Sequence, residues 1–140
     1  MDTIFIKTHQ PGTHYANPHF FILSKGQNSG KPQNEPFTNS FVLVFQTEAQ
    51  KEDIFWIAMS LWKSKFWMPF LRGSIFSFLS LYEFKKEFNP KVTRLMREHE
   101  LHQKNVKTLK LLQEQENHHN KNIHLINELK NAIMMRYRRK

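Results

Sequence analysis

The chain has 140 residues and no cysteine, which leaves room for about one domain with an extension. It excludes a disulfide framework, a thiolate zinc site and a cysteine nucleophile, and fits a reducing, cytoplasmic compartment. Lysine and arginine number 21 against 12 acidic residues, a net charge of +9, so polyanions are the first partners to consider.

The start, Met1-Asp2-Thr3-Ile4-Phe5-Ile6-Lys7, lacks the basic and then apolar organisation of a signal peptide. The most apolar stretch, Ile54 to Leu81, is cut by Lys63, Lys65 and Arg72 into runs too short to span a membrane. Phe66 to Leu71 reads as core packing rather than a bilayer contact.

In chain order, Thr3-Ile4-Phe5-Ile6, His19 to Leu23 and Phe41 to Phe45 are β-branched or aromatic runs bounded by Gly and Pro, the pattern of strands. The third, with five apolar residues in succession, predicts burial on both faces. Between the second and third, Lys25 to Pro36 (KGQNSGKPQNEP) is polar and broken by two Gly and two Pro, which predicts a long loop. Thr47-Glu48-Ala49-Gln50 has capping-box spacing, and Ile54, Ile57, Ala58, Leu61 and Trp62 follow at helical intervals, so a helix is expected from about Glu48 to Ser64. Ile75 to Phe78 reads as a short strand. Ser80-Leu81-Tyr82-Glu83 repeats the capping-box spacing and opens a short helix with Leu81, Phe84 and Phe88 on one face.

Every Gly and Pro lies at or before Pro90, and the charge divides there too, +2 for residues 1–90 and +7 for residues 91–140. The expected organisation is α+β: a head over residues 1–90, with a small mixed sheet and one or two packed helices, and a basic α-helical arm over 91–140. Val106, Leu109, Leu112, Glu116, His119, Ile123, Ile126, Leu129 and Ile133 approximate a heptad seam, polar in its middle. The arm is therefore expected to be either one long helix that pairs with a partner as a coiled coil or a chain that turns at Glu116 to Asn120 into an antiparallel hairpin.

No catalytic constellation emerges. Gly26-Gln27-Asn28-Ser29-Gly30-Lys31-Pro32 is one residue short of a phosphate loop and has Pro32 where the magnesium-binding hydroxyl belongs. Glu98-His99-Glu100-Leu101-His102 lacks the zinc-protease pattern, and the histidines of residues 99–124 read as surface positions. Glu83-Phe84-Lys85 has a nuclease-like Glu-x-Lys spacing but falls on a helix. The expectation is a protein without catalytic residues, metal or other cofactor. Its cations would contact nucleic acid: Lys25 and Lys31 from the first loop, Lys63, Lys65 and Arg72 from the end of the helix onward, and Lys107, Lys110, Arg136, Arg138 and Arg139 from the arm. The alternatives are an adaptor or inhibitor that binds a protein through its arm and exposed aromatics, and a metal-dependent nuclease acting through Glu83.

The stretch from Asn39 to Phe88 resembles the target-recognition domains of type I restriction-modification specificity subunits. Asn39-Ser40-Phe41-Val42-Leu43-Val44, Ile54 to Leu61 with Lys63-Ser64-Lys65-Phe66, Gly73-Ser74-Ile75 and Leu81 to Phe84 follow the order of parts in that family. The junction before the long helix is Asn89-Pro90-Lys91, where the family usually has a longer proline-rich one. The resemblance implies DNA contact through the loops Lys25 to Pro36 and Lys63 to Arg72, and a long helix used for assembly, as a homodimer or in a larger complex.

Overall fold

The structure, a computed structural model, describes residues 4–139. Four strands, β1 (Phe5–Thr8), β2 (His19–Leu23), β3 (Pro32–Gln33) and β4 (Ser40–Val44), form one antiparallel sheet in the order β1-β4-β2-β3. The helices are α1 (Glu48–Lys63), α2 (Leu81–Met96) and α3 (His99–Arg138), with a 3-10 turn at Met68–Phe70. The fold class is α+β. Two compact units divide it, one to His102 and one from Gln103, whereas composition changes at Asn89-Pro90. No helix among the described residues is long and apolar enough to cross a membrane.

Alternation along the strands sends Ile6, Phe20, Ile22, Phe41 and Leu43 to one face, where they form the core with Ile54, Ile57, Ala58 and Leu61 of α1 and Phe84, Phe88 and Val92 of α2. Because Phe21 and Val42 are buried on the opposite face, β2 and β4 carry the two-sided burial that their unbroken apolar runs imply. That second face is closed by rings: His9, Tyr15 and His19 all pack on Phe21 or on one another, and His9 Nδ1 lies 2.8 Å from the Tyr15 hydroxyl.

Both helix starts use the caps expected of them. The Gln50 amide donates to Thr47 Oγ1 at 3.1 Å, and the Gln46 amide to Gln50 Oε1 at 3.2 Å. The Glu83 amide donates to Ser80 Oγ at 3.1 Å. The helix that Ser80 opens is longer than the short one expected, since it runs 16 residues through Pro90. Proline removes one helical hydrogen bond, but Val92, Leu95 and Met96 continue beyond it the apolar spacing of Phe84 and Phe88, with Val92 in the core and Leu95 and Met96 packed against it. The chain then breaks at Arg97-Glu98, so residues 91–138 belong to two helices. The second is unbroken, which settles the choice between hairpin and long helix in favour of the helix, about 60 Å at ~1.5 Å per residue.

Three strand expectations shift. The first strand runs over Phe5–Thr8, and Thr3 lies outside the described residues. Within the loop from Lys25 to Pro36, Pro32–Gln33 forms an edge strand, a place where proline is tolerated. Ile75 to Phe78 is not a strand. Phe78 makes isolated bridges to Arg72 and Lys25, while Ile75 and Phe76 are 85% and 83% exposed at the tip of the turn they close. The stretch Phe66 to Leu71 packs as expected: Trp67 is buried, Phe66, Phe70 and Leu71 lie against the core, and Met68 and Pro69 are exposed.

Candidate nucleic-acid interface

The end of α1 is built by local chemistry. Beyond Ser64, the Lys65 amide donates to the Trp62 carbonyl and the Phe66 amide to the Leu61 carbonyl, both at 3.0 Å. This pair of bonds is the Schellman closure, which needs a left-handed residue and usually takes glycine. Lys65 occupies that position with φ 61°, the one positive φ outside glycine among the described residues. A side chain there costs about 1–2 kcal/mol, so a lysine is held, exposed, where stability alone favours glycine.

The loop before β3 is folded onto this corner. The Gly30 amide donates to the Leu23 carbonyl at 2.7 Å and the Leu23 amide to the Lys31 carbonyl at 3.0 Å, which closes the Gly26–Lys31 turn. Gly30, buried with φ +96°, lies flat against Trp67: a Cβ there would come 2.2 Å from Trp67 Cδ1. The two loops are thereby locked together around a groove of about 250 Å³ lined by Gln27, Asn28, Ser29, Trp62, Lys63, Lys65, Trp67 and Met68. Lys31 from the loop before β3 and Lys63 at the end of α1 place their ammonium groups 5.2 and 5.4 Å from the centre of the Trp62 ring, a cation–π arrangement that orders both side chains.

Lys25 lines a neighbouring cleft with Gly26, Gln27 and Ile75 to Phe78. The backbone fixes it there, since the Gly26 amide donates to the Ser77 carbonyl at 2.7 Å and Lys25 bridges Phe78. Arg72 differs from these lysines. Its guanidinium donates to Glu83 Oε1 at 2.9 Å, so its charge is already matched, although its side chain remains 61% exposed. Among the described residues, Lys25, Lys31, Lys63 and Lys65 make no ion pair. Three of the five candidate head cations, Lys25, Lys63 and Lys65, therefore line two adjoining grooves, Lys31 reaches the Trp62 ring on the wall of one of them, and Arg72 is neutralised.

The remaining five belong to α3 and its end, where every residue from Lys110 to Arg139 is exposed. At about 100° per residue, Lys107, Lys110, Arg136 and Arg139 fall within an arc of roughly 80°, together with Lys121. Arg138 points to a different side. Glu114 and Glu128 interrupt the basic face, so its field is weaker than the lysine count suggests.

Other ionisable groups serve packing. His99 Nε2 sits 3.5 Å from the Asp53 carboxylate, and His102 Nε2 lies 2.8 Å from the Asp53 carbonyl oxygen, which ties the first turn of α3 to α1. Burial, with His19 and Lys7 nearby, lowers the His9 pKa from its ordinary 6.5. No group of three metal-ligating side chains occurs among the described residues. Glu83, the acid of the nuclease alternative, is engaged by Arg72.

Sequence reasoning missed Trp62 as a surface residue. It shares the helical spacing of Ile54, Ala58 and Leu61, which are buried, but is itself half-buried and faces the groove. The available signal was its place beside Lys63 in the last helical turn, where a basic aromatic pair is free of the core.

Residues 6–136 match a family described as a family of unknown function, DUF6943, and the chain belongs to it. No curated protein and no solved structure matches the chain.

Proposed function

We propose that this member of DUF6943 is a non-enzymatic nucleic-acid-binding protein, a DNA-recognition module that acts within a larger complex. One observation carries the reading: Lys31, from the loop before β3, reaches the Trp62 ring that Lys63 at the end of α1 also covers, with Lys65 beside them in a conformation that costs stability. Ordered cations without carboxylate partners suit a ligand with closely repeated negative charge, and a phosphate backbone provides it. The half-buried Trp62 and the exposed Met68 on the groove wall add aromatic and apolar surface on which an unpaired base can rest.

The two loops are those to which the resemblance to type I specificity subunits assigns DNA contact, which supports DNA over RNA. The setting proposed with it is cytoplasmic, in keeping with a chain that has no cysteine. Binding is expected to weaken steeply between about 50 and 200 mM salt, because each neutralised phosphate releases counterions. Fluorescence anisotropy with labelled duplex and single-stranded DNA and RNA across that range tests the reading. Absence of binding at the low-salt end refutes it.

A second reading, a protein-binding adaptor, is favoured by one feature: the exposed Ile75 and Phe76, presented on a turn fixed by the Arg72–Phe78 bridge. Pull-down after nuclease treatment separates the two, since an adaptor keeps its partner and a nucleic-acid-bridged complex loses it.

A further inference from the structure

We infer that α3 pairs with α3 of a second copy of this chain as a parallel, in-register coiled coil. Assigning Leu112 to position d of a heptad places Ile123 and Tyr137 at a, and Ile126 and Ile133 at d. These side chains are 55–78% exposed, on a helix whose residues from Lys110 onward are all exposed. A helix with an apolar stripe and no cover on it is not a stable end state in water.

The pattern selects the occupant. Against a chain of net charge +9, a second copy is an unfavourable neighbour unless the contact edge is neutral. Here the positions flanking the seam are Gln113, Gln115, Asn120, Asn122 and Asn127, which are uncharged amides, followed by the apolar Leu129 and Met134, with a charge only at the last, Arg136. The charges of this segment sit mainly on the outer positions, as with Lys107, Glu114, Lys121 and Glu128, and from Leu112 to Tyr137 enter the seam only at Glu116 and Lys130. A partner recognised by charge would leave the opposite signature, since flanking charges are what set partner choice in coiled coils.

Direction follows from the two charged seam positions. In a parallel pair each apolar layer meets its own copy, and Glu116 and Lys130 meet only themselves, where long stems let the charged ends reach water. In the antiparallel registers that overlap the whole seam, Glu116 packs against Ile126 or Ile133 of the second helix. The parallel pair leaves the face bearing Lys107, Lys121 and Arg139 uncovered. It also brings the Arg136, Arg138 and Arg139 groups of two copies together, so self-association should tighten as salt rises, the reverse of the salt dependence of nucleic-acid binding.

The absence of cysteine makes a clean test available, because a single introduced thiol is the only one in the chain. Sedimentation equilibrium of the full chain should show a dimer, and Ile126→Asn should weaken it by about tenfold or more. Trp56, Trp62 and Trp67 all lie in the first unit, so near-ultraviolet dichroism of that variant reports whether the head stays folded. Under mild oxidation Ile133→Cys should form a disulfide-linked dimer, while Lys121→Cys, on the outer face, should not. A chain that stays monomeric at every attainable concentration overturns the pairing, whatever its affinity for nucleic acid. A dimer in which Ile133→Cys fails to link overturns the parallel direction.

Discussion

Replacing Gly30 with alanine should unlock the corner that joins the two loops. The added Cβ would stand 2.2 Å from Trp67 Cδ1, 2.8 Å from Cγ and 2.9 Å from Nε1. Trp67 is only 2% exposed and is packed between Phe66 and Phe84, so its ring has little room to retreat. Two costs add at this position. Forcing a side chain to φ +96° costs about 1–2 kcal/mol, and overfilling a packed site costs about 1–3 kcal/mol. The sum, about 2–5 kcal/mol, is a large part of the ~5–15 kcal/mol that holds a domain together.

Gly12 provides the internal control. Its φ is +87° and nothing lies within 4 Å of its would-be Cβ, so Gly12→Ala pays the conformational cost alone. Urea unfolding followed by tryptophan fluorescence should show both midpoints lowered with similar slopes, and Gly30→Ala lower than Gly12→Ala by about 1–3 kcal/mol. If the two variants are equally stable, the contact of Gly30 with Trp67 is not what locks the loops, and the geometry assigned to the groove is wrong.

Lys65→Gly should raise stability by about 1 kcal/mol, because it relieves the left-handed strain, while weakening nucleic-acid binding; the same two assays read both effects. Trp62→Ala should reduce affinity for single strands by about 1–3 kcal/mol if a base rests on the ring, measured by anisotropy at fixed salt. Thr47→Ala should lower stability by about 1 kcal/mol through loss of the α1 cap, seen as a shift in the urea midpoint. His9 is held below its ordinary pKa of 6.5 by burial and by His19 and Lys7. The unfolded chain therefore takes up its proton first on acidification, so stability present above about pH 6.5 is lost as pH falls through the folded value. His9→Gln should flatten that part of the stability profile.

Local chemistry was the most legible part of this chain. Thr47 and Ser80 announce their helices because a cap is satisfied by residues three positions away. The apolar runs of β2 and β4 show their two-sided burial for a similar reason, since the pattern is written in adjacent residues. Pro90 misled because its local cost was outweighed by tertiary burial of Val92, Leu95 and Met96. Ile75 to Phe78 misled because a β-branched and aromatic run needs a partner strand. Instead, the turn at Gly73, with φ +93° and the Phe76 carbonyl oxygen packed where a Cβ would stand, exposes Ile75 and Phe76.

The candidate site was legible as two basic loops and illegible as one place. Lys63 adjoins Trp62 in sequence, but nothing in the spacing of Lys31, 31 positions before Trp62, says that it reaches the same ring. That juxtaposition depends on Gly30 packing against Trp67 and on the Schellman closure at Lys65, both of which are tertiary outcomes. Arg72 looked equivalent to the lysines in sequence, and its partner Glu83 is 11 residues away on another element.

The salt dependence of DNA binding, compared between the wild-type chain and a variant with Lys25, Lys31, Lys63 and Lys65 all changed to Gln, tests the central claim most directly. If these four lysines contact phosphates, the slope of log affinity against log salt should become shallower by about 3–4, at roughly 0.9 per phosphate on duplex DNA. An unchanged slope in a variant that keeps its fold would contradict the account, because the groove around Trp62 would then not be where the polyanion binds.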